Sequence, residues 1–239
     1  MNASIIYLTN RRDCRANWFC DSLCAQAASR PIPQVIFIDA CLWEPDADTR
    51  RALFAEWVKG RFEFVHVPPK PNVWQGPTRL TKADYFAASN ARNTGICHAQ
   101  GDYALFVDDL SVLMPGWFDN MMHACHSNYV VQGAYRKVKE LIVEDGIVKH
   151  WEPNIEGDKD TGLDCRWGIG SDGGILPSYP SNLYGCSFGA PMKLLLAVNG
   201  QDEIYDGMGY EDTALGFALA NNGARFMYNR NMLTYEDGP

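Results

Sequence analysis

The sequence predicts an α/β chain with a mixed, mostly parallel central sheet flanked by helices, and three observations carry that expectation. Short β-branched or aromatic runs alternate with longer amphipathic stretches through the first half, the pattern of successive βα units. One of those runs, VIFI, is apolar without interruption, as a strand covered on both faces must be. Three runs end in or just before a polar signal, Thr9-Asn10-Arg11, Asp39 and Asp108-Asp109, at the edge where open α/β sheets bind ligands.

The elements follow in order. SIIYLT (4–9) is the first strand, and CRANWFCDSLCAQAAS (14–29) a helix with apolar residues recurring at three and four positions. PQVIFIDA (33–40) is the second strand, followed by the helix DADTRRALFAEWVKG (46–60), with Asp46 or Asp48 as cap and Gly60 as stop. FEFVHVP (62–68) is a third strand, residues 81–101 a third helix ending at Gly101, and DYALFVDD (102–109) a fourth strand. After Pro115 comes a short helix (116–127), then two alternating stretches separated by EDG, a hairpin signal within 129–151. Residues 152–182 are rich in glycine, proline and aspartate and read as a flexible functional loop. The chain ends with a strand (184–191), a helix stopped by Asn199-Gly200, a helix opened by Tyr210-Glu211-Asp212, and a final strand or pair over 224–237.

With 239 residues, 46% of them hydrophobic, the chain can bury one sizeable core, and a single domain over 1–239 is expected. No apolar run approaches the roughly 20 residues needed to cross a bilayer. In MNASIIYLTNRR the basic pair follows the apolar stretch, the reverse of a secretory signal. A soluble, cytoplasmic protein without stable membrane insertion is the expectation. Eight cysteines without CxxC or zinc-like spacing read as free thiols. A net charge of −8 gives no global footprint for nucleic acid, and Arg11, Arg12, Arg136, Lys137 and Lys139 read as solvated charges.

Two adjacent carboxylates at a strand end repel each other unless a cation sits with them. Hard divalent ions prefer oxygen ligands and often take one or two carboxylates with phosphate oxygens completing the shell. Taken alone, Asp108-Asp109 permits a helix cap, a polar turn or a metal site. Glu211 and Asp212 open a helix, where free N–H groups favour negative charge. A carboxylate there also suits general-base activation of a hydroxyl.

NARNTGICHAQGDYALFVDDLSVLMPGW resembles the central signature of family-2-type glycosyltransferases with the GT-A fold. IIYLTNRRD is similar to the family's opening strand and turn, and VIFIDA to its second strand. GCSFGAPMKLLLAVNGQDEIYDGMGYEDTALGFALANNGARF is similar to the acceptor half, with a galactosyltransferase-type G-x-E-D segment. The resemblance implies a single Rossmann-like GT-A domain, with 1–110 as the nucleotide-sugar half and 111–239 as the acceptor half. It implies an inverting hexosyltransferase that uses a nucleotide-sugar donor, with UDP the expected nucleotide, and Mn²⁺ or Mg²⁺. The acceptor stays open among a glycan, a protein and a modified nucleic-acid base.

The resemblance also distributes roles. Asp39 would bond the nucleobase, with Thr9 and Arg11 lining the same pocket. Arg92 and Asn93 would sit under the diphosphate or brace the acidic motif. Asp109 would be the direct metal ligand, with Asp108 nearer the ribose or sharing the metal. Asp212 would be the base and Glu211 would bind acceptor hydroxyls. Trp167, Tyr184, Gly185 and Tyr210 would contact the acceptor, and the loop around WGIGSDGG would close over the donor. Two departures stand out. Leu110 occupies the third position of the acidic motif, and no histidine follows His150, so that Glu236, Asp237 or water would take the place of a late histidine ligand. A sugar-phosphate nucleotidyltransferase and a catalytically silent carbohydrate- or nucleic-acid-binding module are the alternatives.

Overall fold

A computed structural model of the chain describes residues 2–27, 32, 34–82, 85–153, 164–168 and 175–238. Its strands are β1 (Ala3–Thr9), β2 (Gln34–Asp39), β3 (Phe64–Val67), β4 (Tyr103–Asp108), β5 (Ser111–Leu113), β6 (Val130–Glu144), β7 (Ile147–Pro153), β8 (Ile175–Pro177), β9 (Ser187–Pro191) and β10 (Phe226–Asp237). Its α-helices are α1 (Ala16–Gln26), α2 (Ala47–Val58), α3 (Ala88–His98), α4 (Trp117–Ser127), α5 (Met192–Ala197) and α6 (Glu211–Asn221).

The strands form one sheet in the order β3-β2-β1-β4-β9-β6-β10-β5, with β7 paired to β6 and β8 to β10. The first four of that order are mutually parallel, β9 is antiparallel to both its neighbours, and β6 and β10 run parallel. The sheet is therefore mixed, as expected. Chain order reverses direction at β1 and β4, the switch point where α/β sheets open a crevice. Register sets Thr9 beside Asp39 and Leu8 beside Asp108, so three strand ends meet at one edge.

Burial follows the period of two. Ile5 and Tyr7 of β1 face one core, with Phe19 of α1, Phe54 of α2 and Trp117 of α4. Ile6 and Leu8 face the other, with Ala91 of α3, Leu195 of α5, and Leu215 and Leu219 of α6. The EDG signal is a two-residue hairpin turn between β6 and β7, in which Asp145 and Gly146 both have positive φ, 51° and 73°. All eight cysteines are unpaired. No helix among the described residues is long and apolar enough to cross a membrane.

The third helix departs from expectation. It begins at Ala88 rather than near 81, and the described residues from 68 onward run as an irregular strap to its start. Pro68, Pro69, Pro71 and Pro77 remove the N–H groups a helix would need. The cap of α3 comes from far along the chain: Asp206 accepts from the N–H groups of Ser89 (2.8 Å) and Asn90 (3.2 Å). The end of the chain is one strand with a break in register. Asn229 pairs with Gly133, but Leu233 pairs with the next residue, Ala134. That bulge carries β10 onward to the acidic turn, where the Asp237 N–H donates to the Leu110 carbonyl at 3.1 Å.

Candidate active site

Arg92 is the centre of the site. It lies on α3, only 3% exposed, and its guanidinium meets three carboxylates. Nη2 reaches Asp108 at 3.2 Å, at the end of β4, while Nη1 reaches Asp212 at 3.0 Å and Glu211 at 3.6 Å, in the first turn of α6. A buried cation is stable only when paired in this way, and here it ties the strand-end acid to the two acids that open α6.

Asp212 is held from several directions. Its Oδ1 accepts from Arg92 and from Gln201 Nε2 (3.0 Å), and its Oδ2 accepts from the Gly185 N–H at 2.7 Å. Gly185 is required for close approach, since a Cβ there would stand 1.8 Å from Arg92 Nη2. Gln201 was not apparent from the sequence; only its place after the Asn199-Gly200 stop hinted at it.

Asp109 accepts from Thr9 Oγ1 at 2.7 Å and lies 3.4 Å from Arg11 Nε. Burial pushes its carboxyl up to about 6 and the charge of Asp108 adds to this, while Thr9 and Arg11 pull it back. Asp108 is raised in the same direction, by burial and then by Asp212 against the pull of Arg92. Glu236 of β10 is 8% exposed and pushed up to about 8, first by burial, then by the nearby charge of Asp108, with Asp109 adding to it. Its register partners are Lys137 of β6 and Ser111 of β5. Glu236 is thus a buried member of the acidic cluster and not frayed surface. The oxygen atoms of Asp108, Asp109 and Glu236 do not all come within 4.8 Å of one another. Glu140, His150 and Glu152 do, on the exposed face of the β6–β7 hairpin.

Leu110 sits in the left-handed region (φ 60°), and its N–H donates to the Cys14 carbonyl at 3.0 Å. Its backbone thus anchors the acidic turn to the loop after β1 and, through its carbonyl, to β10.

Two of the residues singled out from the sequence spend their side chains on the protein's own hydrogen bonds. Asp39 is fully buried and its carboxylate is engaged inside the protein. It accepts from Arg50 Nε, from His66 Nε2 (2.9 Å) and from the Cys41 N–H (3.0 Å), so it faces no solvent from which a base could approach. Arg50 also donates to the carbonyls of Arg11 and Arg12 (2.7 Å each), so the pair pins the loop after β1. The Asn93 side chain accepts from the Gln201 N–H and donates to the Gln201 carbonyl, both at 2.8 Å.

Beyond the ends of β1 and β2 opens a cavity of about 350 Å³ lined by Asn10, Cys41, Trp43, Gln75, Arg79 and Tyr85 among others. Trp43 and Tyr85 are 36% and 43% exposed, and neither was singled out from the sequence. A larger groove, about 800 Å³, lies between α3 and α6, where its Lys70 and Glu203 are paired at 2.6 Å.

On the opposite flank, Arg166 pairs with buried Asp164 and lies over the rings of Tyr184 (4.3 Å), Tyr228 (5.2 Å) and Tyr135 (5.9 Å). Tyr184 therefore neighbours Gly185 on a rigid support. Tyr210 caps α6 and is 79% exposed beside Glu211. Trp167 is half-buried with Arg230 over its ring at 5.2 Å. Residues 169–174, most of the proposed closing loop, lie outside the described residues. Of the basic residues read as solvated, Arg136 is instead packed over Trp151 (4.3 Å) and Tyr235 (5.2 Å).

No protein-family model and no curated protein matches this chain. Solved structures do match its fold. S. aureus TarS 1–349 superposes with a TM-score of 0.63 at 14% identity, over 99% of this chain and 60% of that one. A second S. aureus TarS structure gives 0.63 at 15%, over 100% and 37%. TarS 1–349 in complex with UDP gives 0.62 at 14%, over 100% and 61%. The present chain thus spans less than two thirds of each of these neighbours. The likeness is one of fold, a mixed α/β sheet flanked by helices.

Proposed function

We propose that this protein transfers a sugar from a nucleotide diphosphate sugar, a UDP-sugar, to an acceptor hydroxyl with inversion at the anomeric carbon. The observation that carries the proposal is Arg92, one buried guanidinium bound to both Asp108 and Asp212. It sets a strand-end acid suited to the donor and a helix-start acid suited to the acceptor a side chain's width apart. The UDP complex of a fold neighbour supports the choice of nucleotide.

The cavity at Trp43 and Tyr85 would take the base, with the rings available for stacking. The diphosphate would then lie over Asp108, Asp109 and Glu236, with Arg11 and Lys137 nearby. The donor set there is oxygen only, and burial together with the mutual repulsion of the acids raises their carboxyls, so a hard divalent cation is the group these residues suit. Asp109 and Asp108 would hold it, and Glu236 would join them only if its side chain moved closer, since the three acids do not share one ligand-sized sphere as placed. Bound there, Mn²⁺ or Mg²⁺ would supply Lewis-acid stabilisation to the departing diphosphate.

The chain's own contribution is proton transfer and orientation. Each carboxylate oxygen has about two acceptor positions, and Asp212 Oδ2 uses one, for the Gly185 N–H. The free position would accept the acceptor's hydroxyl proton while the new C–O bond forms and the bond to the diphosphate oxygen breaks. Glu211, with one long contact to Arg92, stays available to accept from a neighbouring acceptor hydroxyl. Tyr210, exposed at the start of α6, and Tyr184, next to Gly185 in the chain, would offer rings to the acceptor.

UDP release from UDP-glucose, UDP-galactose and UDP-N-acetylglucosamine with Mn²⁺ tests the proposal. Asp212→Asn should lower turnover by about 10²- to 10⁴-fold with UDP affinity retained. A wild-type protein that binds UDP but never releases it from any sugar would favour the silent binding module. Pyrophosphate release from a nucleoside triphosphate and a sugar phosphate would favour the nucleotidyltransferase.

A further inference from the structure

We propose that Gln201 is a positioning residue for the transfer step, holding the Asp212 carboxylate in register with Arg92, and that Asn93 holds Gln201. This rests on the transferase reading of the same site. Gln201 is 2% exposed, and both ends of its amide are used: Nε2 donates to Asp212 Oδ1 at 3.0 Å, and Oε1 faces Arg92 Nη1 at 3.5 Å. It therefore bridges the carboxylate and its counter-ion, a task that needs a donor and an acceptor on one planar group.

The backbone of Gln201 is fixed just as tightly. The Asn93 side chain takes its N–H and gives to its carbonyl, the pattern of a paired strand made by one amide. Asn93 also donates to Glu203 Oε1 at 2.8 Å, which is paired with Lys70. The approach works only at a glycine. Gly200 has φ 73°, and a Cβ there would lie 2.2 Å from Asn93 Oδ1. Consecutive residues of α3 thus divide the work: Arg92 neutralises the acids directly, while Asn93 sets the loop that aims one of them.

Both Gln201 and Asn93 line the groove between α3 and α6, while neither lines the cavity at Trp43 and Tyr85 or bonds directly to Asp108 or Asp109, so with the nucleotide in that cavity their effect falls on turnover. A carboxylate misplaced by about 1 Å loses on the order of 10²-fold in rate. Gln201→Leu keeps the volume and removes both polar ends. Gln201→Glu keeps the acceptor facing Arg92 but turns the donor facing Asp212 into a second acid.

The experiment measures UDP release from the same three UDP-sugars against pH, UDP affinity by calorimetry with Mn²⁺, and melting curves for each variant. Expected for Gln201→Leu is a kcat lower by about 10- to 100-fold, with donor KM and UDP affinity within about twofold of wild type. Gln201→Glu should move the acidic limb of the pH profile to higher pH, because a second carboxylate disfavours ionisation of the base. Asn93→Ala should give the same kcat-only loss. Should Gln201→Leu be too unstable to assay, Gln201→Glu decides alone, and an unmoved pH profile overturns the proposal. A folded Gln201→Leu with wild-type kcat, or with UDP affinity lost in proportion to rate, overturns the positioning role and leaves the transferase reading standing. A wild-type protein that releases no UDP overturns both.

Discussion

Replacing Glu236 by glutamine should stabilise the metal-free protein, and by an amount that depends on pH. Glu236 is 8% exposed, and its carboxyl is raised from an ordinary 4.5 to about 8 by burial and by the charges of Asp108 and Asp109. A carboxyl whose folded value exceeds its unfolded value adds stability that is fully present below the unfolded value and lost as pH rises through the folded one. The window here is therefore about 4.5 to about 8. Within it each pH unit removes about 1.4 kcal/mol. The wild-type native state then carries a penalty on the order of 3 kcal/mol near neutrality and about 5 kcal/mol above the folded value. Glutamine keeps an oxygen for the Thr234 hydroxyl, 3.3 Å from Glu236 Oε1, and cannot ionise. Urea denaturation in a chelating buffer at several pH values checks this. Glu236→Gln should match wild type at the acid end, exceed it by several kcal/mol at the alkaline end, and lose most of that advantage when Mn²⁺ is added, because the ion compensates the wild-type charge. A variant no more stable than wild type in chelator above pH 8 would refute both the burial of an ionised acid and its part in a cation site.

Other outcomes follow from the same geometry. Asp39→Asn leaves Arg50 buried without its charge partner and should lower stability by about 3 to 5 kcal/mol. UDP affinity should change less than about threefold, and a selective loss of UDP binding in calorimetry would restore Asp39 as a base contact. Trp43→Ala removes the exposed ring of the cavity beyond β2 and should weaken UDP by roughly tenfold, the scale of about 1 to 3 kcal/mol for stacking on a base, with unchanged melting temperature. Gly185→Ala places a methyl 1.8 Å from Arg92 Nη2. It should lower stability by about 1 to 3 kcal/mol and abolish UDP release; full turnover in that variant would dissociate Gly185 from the site.

The strand ends could be read from the sequence because periodicity and polarity are local properties. The apolar run of β2 stops at Asp39 and that of β4 at Asp108, and parallel pairing with β1 brings the two to one edge. The orientation of a side chain at that edge is not a local property. Asp39 turns inward because Arg50, eleven residues on, stands in an amphipathic helix of ordinary appearance and reaches back to the loop after β1. Asn93 and Gln201 are separated by 108 positions, and the strap that starts α3 late takes its cap from Asp206, 117 positions from Ser89. No spacing rule connects such pairs, because each depends on how helices on one face of the sheet settle against the next.

The acidic motif shows the same division with a different outcome. Leu110 leaves the motif one acid short, and on sequence grounds that weakens the argument for a cation. The three extra residues of the β10 bulge, 230–232, shift the strand against β6 so that Glu236 pairs with Lys137 and Ser111 and feels both Asp108 and Asp109. A further carboxylate lies near the pair on a neighbouring strand, although its oxygens do not come within 4.8 Å of both aspartates as placed. Leu110 uses its backbone to tie that strand to the turn. Glu236 is the candidate to stand in for both the absent acid and the absent late histidine beside the two aspartates. An ion held there would have oxygen ligands only and would favour magnesium or manganese over softer metals. Mn²⁺ affinity should fall steeply as pH drops from about 8 through about 6, since Glu236 and Asp109 must both shed protons to bind. A pH-independent affinity over that interval would separate Glu236 from the site and leave the motif with two acids.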